Sequence, residues 1–160
     1  MSGSHVMTLP LVFQALLLAA ALVASWSDAF RRRIPNWLCL VTALAGLSFA
    51  ALSGGAWALG SHALHASIAL VAGMILFALG GIGGGDAKFY TAVATWFALA
   101  QAILLLLAVS LSGLVIFIVW FVYRRAAGKP IRWSSRDPGD GLPYGIPIAL
   151  GTLVAYWVAL

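Results

Sequence analysis

The chain has 160 residues, 63% of them hydrophobic and only 8% charged, with a mean hydropathy of +1.04. Soluble domains carry roughly a quarter of their residues as charges, so this composition excludes one and points to an all-α, polytopic integral membrane protein. The net charge of +5 rests on nine Lys and Arg that flank apolar runs, which speaks for topology and against nucleic-acid binding, and the lone Cys39 excludes an internal disulfide and any zinc site built on cysteine pairs.

In chain order, the opening "MSGSHV" ahead of Met7 has the small, polar look of a vector remnant. Residues 1–7 are therefore set apart, and residues 8–160 read as a single six-helix transmembrane domain. A span needs about 20 apolar residues to cross roughly 30 Å of hydrocarbon. Residues 8–27 supply the first, closed by Asp28, the run Arg31, Arg32, Arg33 and then Pro35. A cleaved signal peptide would carry its positive charge before the apolar run instead of after it. Residues 37–59 and 63–79 read as the second and third spans, with "GSH" between them as a hairpin turn. Residues 89–123 hold no formal charge. As one helix they would reach about 52 Å, too long for a single perpendicular crossing. Two crossings broken near Gln101 fit better, the earlier one starting inside the preceding glycines. A polar, Pro- and Gly-rich linker then leads to a sixth span over residues 144–160. Threaded this way, all nine basic residues fall on one side of the membrane, which the positive-inside rule makes cytoplasmic.

Asp28 closes the first span and Asp86 opens the fourth, so two of only four acids share one membrane level. They meet if the first and fourth helices pack together. An ionisable group at a span end is costly enough to mark a functional site. The glycines before Asp86, in "GGIGGGDAK", let backbone approach a neighbouring helix or an extended peptide and permit positive φ just ahead of the acid. A flexible hairpin ending in a solvated aspartate is the competing reading. Phosphate cradling is weaker, because the run lacks the Walker spacing and follows an apolar helix.

"GGGDAK", with Gly83, Gly85 and Asp86 in the order GxGD, resembles the second motif of the type IV prepilin peptidases, the GxGD aspartic proteases of the membrane. "SDAFRRRIPNWL", with Asp28, Pro35 and Asn36, is similar to their first motif, and "PYGIPIALG", from Pro143, Tyr144 and Gly145 onward, resembles the segment opening their last helix. The resemblance implies that Asp28 and Asp86 are the catalytic pair of an inner-membrane enzyme. Its substrate would be a prepilin or pseudopilin, whose short basic leader is cut at the cytoplasmic face. It implies no metal or other cofactor, and it makes the lipid bilayer and the pilus-assembly machinery the remaining partners. Larger members carry paired CxxC motifs linked with N-methylation; this chain has one cysteine and is most similar to the compact Flp (Tad, type IVb) enzymes, with archaeal preflagellin peptidases as neighbours.

An aspartic dyad works because two close carboxylates cannot both ionise cheaply, so one keeps a proton while the other activates water. Lys88 stabilises negative charge beside Asp86 or anchors a helix end at the headgroups. Pro143, Tyr144 and Gly145 shape the start of the last helix. Asp137 and Asp140 belong to a "DPGDG" turn, and His62 and His65 lie on the side away from the acids, without a third ligand for a metal. Two other classes fit the bare composition: a small proton-coupled transporter, which would want its acids nearer mid-bilayer, and a non-catalytic scaffold of the pilus apparatus.

Overall fold

The computed structural model describes residues 3–31, 33–128 and 144–159, with side chains from Leu11 onward. The elements among the described residues are helices: α1 (Gly3–Arg31), α2 (Asn36–Ala78), α3 (Gly84–Ala94), a 3₁₀ turn (Leu99–Gln101), α4 (Ala102–Ala126) and α5 (Gly145–Ala159). Three stretches are long and apolar enough to cross a membrane: Leu11–Arg31, Asn36–Ala78 and Leu99–Ala126.

Pro35 separates α1 from α2. Its backbone is extended (φ −64°, ψ 138°), and its carbonyl accepts the N–H groups of Leu38 at 3.1 Å and Cys39 at 3.4 Å, which starts the new helix. The Ser27 hydroxyl donates to the Arg33 carbonyl at 2.6 Å and ties the two sides of the turn together.

The 43 residues of α2 are two helices joined at Gly55, which has φ 64° and ψ −156°, a conformation open to glycine and strained for any residue with a Cβ. Packing on α3 shows the sense of each half. Lys88 reaches Asn36 while Trp96 donates to the Thr42 carbonyl at 3.0 Å, so the first half runs parallel to α3. A Cβ on Gly73 would lie 3.1 Å from Ala87, and the ring of His62 bonds the Thr95 carbonyl at 2.8 Å, so the second half runs antiparallel. Both ends of α2 therefore lie beside the start of α3, and the chain reverses at Gly55.

That reversal corrects two sequence expectations. Gly60, Ser61 and His62 are helical. The polar side chains that suggest a turn instead serve the helix packing: Ser61 accepts the Leu99 N–H at 3.0 Å, and His62 and His65 hold the Thr95 and Phe97 carbonyls left without helical donors where α3 ends. The second span thus ends near Gly54 and the third starts directly after Gly55. Further on, α3 stops at Ala94, seven residues before Gln101, and covers only about 16 Å. Gln101 marks the start of the following helix: its side-chain oxygen accepts the Ala98 N–H at 3.0 Å.

The core lies where α1, both halves of α2, α3, the start of α4 and α5 meet. Phe89, Phe97, Leu17 and Leu105 are fully buried, and Trp96 sits against Phe13 and Phe49 with ring centroids 6.2 and 6.0 Å away. Gly151 lets α5 lie directly on the backbone of α4 at Val109. Outward faces are lined with exposed Leu, Ile and Val, and Trp57, two residues past the reversal, is 90% exposed. Such a surface suits lipid and not water.

Candidate active site

The helix ends place the site. Asp28 lies one turn before the end of α1 and is buried, 7% exposed. Asp86 lies in the first turn of α3, outside the three long apolar stretches. Far apart in sequence, the two carboxylates line one cavity of about 470 Å³, walled by the turn from Arg33 to Asn36, by Gly83 to Gly85 and by Lys88.

Each carboxylate has its own support. Asp28 accepts the Gly145 N–H at 2.7 Å, a donor left free because it belongs to the first turn of α5, where the helix dipole also favours a negative charge. A Cβ on Gly145 would stand 2.8 Å from that of Asp28, so glycine is what permits the contact. Asp86 is held differently. Burial first, then the negative charge of Asp28, push its carboxyl up to about 6, against a smaller opposing pull from the Gly83 backbone. A Cβ on Gly83 would meet the Asp86 carboxylate oxygen at 2.7 Å. The positive φ expected just ahead of Asp86 is not at Gly83, which is extended (φ −72°), but further back in the run at Gly80 (φ 74°).

The remaining residues singled out in the sequence divide. Pro35, Asn36, Gly83, Gly85 and Lys88 all line the carboxylate cavity. The Lys88 ammonium donates to the Asn36 side-chain oxygen at 3.2 Å, joining the two motifs directly. Tyr144 faces a neighbouring apolar hollow instead, and Pro143, Asp137 and Asp140 lie outside the described residues. Two features escape a reading of the sequence. Arg33, assigned there to topology alone, reaches the cavity wall, and the Gly145 amide contacts Asp28 across 117 residues of chain, which no local spacing signals.

A buried carboxylate fixed by an amide and a helix terminus, beside a half-buried one raised toward neutrality, can hold one proton with it and polarise a water. The model of the type IV leader peptidase family matches residues 15–118, more than half of the chain, with both aspartates inside the match. None of the curated proteins or solved structures compared with it matches the chain. The chain therefore belongs to the type IV leader peptidase family.

Proposed function

We propose that this peptidase is an aspartic endopeptidase in which Asp28 and Asp86 together remove the short basic leader from type IVb (Flp-type) prepilins or pseudopilins. The observation that carries this reading is the convergence of both carboxylates on one cavity. With one proton shared by the pair, the ionised carboxylate takes a proton from water as the water oxygen bonds to the scissile carbonyl carbon. The protonated one donates to the carbonyl oxygen. Collapse of the tetrahedral adduct breaks the C–N bond and passes a proton to the departing amine. The Gly145 amide fixes Asp28 in place, and the proton belongs to the pair as a whole. No step calls for a metal or another cofactor.

The proposed setting is an inner membrane, crossed six times by α1, the two halves of α2, a shortened fourth pass built on α3, α4 and α5, with the carboxylate end toward the cytoplasm. The positions of Arg31, Arg33, Lys88 and Arg124 support it: α4 starts beside Ser61 at the far end and packs antiparallel to α5, so Arg124 comes back to the carboxylate end. Purified chain in lipid bilayers should cut a Flp-type precursor at its leader junction and keep cutting in a strong metal chelator. Intact precursor after prolonged incubation contradicts the peptidase assignment, and cleavage lost to the chelator and restored by metal contradicts the dyad chemistry.

A further inference from the structure

An apolar groove of about 490 Å³ adjoins the carboxylate cavity and shares a single residue with it, Asp86. One face of α4 forms a wall, beginning at Leu106 and continuing in steps of three and four residues to Phe117, about 16 Å of helix. The second half of α2 forms the opposite wall in the same steps, with Gly73 at its middle. Residues of α3 and α5 make the floor, and Asp86 stands at its carboxylate end.

We propose that this groove holds the apolar helix of the precursor, the segment that follows the scissile bond, and so delivers that bond to the dyad; this rests on the peptidase reading above. Continuity is the first argument. A substrate whose leader is polar and whose next segment is apolar needs a polar cavity and an apolar trough that meet at the reacting group, and Asp86 is the one residue belonging to both. Shape is the second. Two walls with helical periodicity along three turns match a helix more closely than a single acyl chain. Removing an apolar helix from lipid brings no hydrophobic gain, so its retention depends on close packing along the two walls. The protein, and not the bilayer alone, then sets the register of the cleavage site.

Ser110, exposed on the α4 wall, provides the test. Ser110→Trp fills the groove, while Val115→Trp places the same bulk on the outer face of α4, where Val115 is 59% exposed. Each variant is assayed on a full precursor and on one truncated after the first residues of its apolar helix. The ratio of kcat/KM for full over truncated substrate should fall by about tenfold or more in Ser110→Trp, chiefly through KM, and stay at the wild-type value in Val115→Trp. A general folding defect lowers both substrates alike and leaves the ratio unchanged. In a parallel measurement, a photo-reactive residue at Leu114 should form adducts with the full precursor. An unchanged ratio in Ser110→Trp, or lipid adducts only at Leu114, overturns the groove assignment while cleavage itself stands. Failure of the wild-type chain to cut either substrate overturns the peptidase reading beneath it.

Discussion

Asp86 carries a cost that its chemistry explains. Its carboxyl rises from an ordinary 3.8 to about 6, chiefly because burial disfavours the charged form and secondarily because Asp28 is negative nearby. The folded state therefore holds this proton more tightly than the unfolded chain does. Its contribution to stability is complete below about pH 4 and is lost as the pH rises through 6, so at neutral pH the ionised side chain weighs against folding. Allowing for partial exposure, the penalty is on the order of 1–2 kcal/mol. Asp86→Asn, neutral and equal in size, removes it. The variant should melt a few degrees above wild type at pH 7.5 and level with it at about pH 3, by thermal denaturation in one fixed detergent. Equal melting at both values, or a lower midpoint at pH 7.5, contradicts the raised carboxyl.

Among the helices, what the sequence shows depends on which signal lipid preserves. Charge and proline survive: Asp28, Arg31 and Pro35 mark the end of α1, and α5 begins at Gly145, one residue from the expected start. Glycine and polar residues are ambiguous. Gly54 and Gly55 resemble the small residues that fill spans, yet Gly55 makes the reversal, whereas Ser61 and the buried His62 resemble a turn and are hydrogen-bonding groups between helices. With the reversal at Gly55, the exposed Trp57 lies at the end of the molecule away from the carboxylates. In a Cys39→Ala background, single cysteines at Trp57 and at Ser134, in the basic segment after α4, should react with an impermeant thiol reagent from opposite faces of intact vesicles. Reaction of both from the same face contradicts the six-pass threading.

At the scale of the whole molecule, the site exists only because distant parts of the chain meet. α1 brings Asp28, α3 brings Asp86, α5 supplies the Gly145 amide, and the two halves of α2 brace α3 through Asn36, Thr42, Gly73 and His62. The sequence makes the two acids legible by their scarcity and by their shared membrane level. It does not show Gly145 reaching Asp28, because a backbone amide has no side-chain signature, nor the groove, because a space between helices depends on how they pack and not on their composition. The central claim is that the two carboxylates act as one unit on one water, and leader removal by purified Asp28→Asn and Asp86→Asn tests it most directly. Each single variant should retain the helical content and cooperative melting of wild type and lose cleavage by ~10³-fold or more, with the double variant no worse than either, since a unit is lost when one member is lost. Near wild-type cleavage by either single variant contradicts the account.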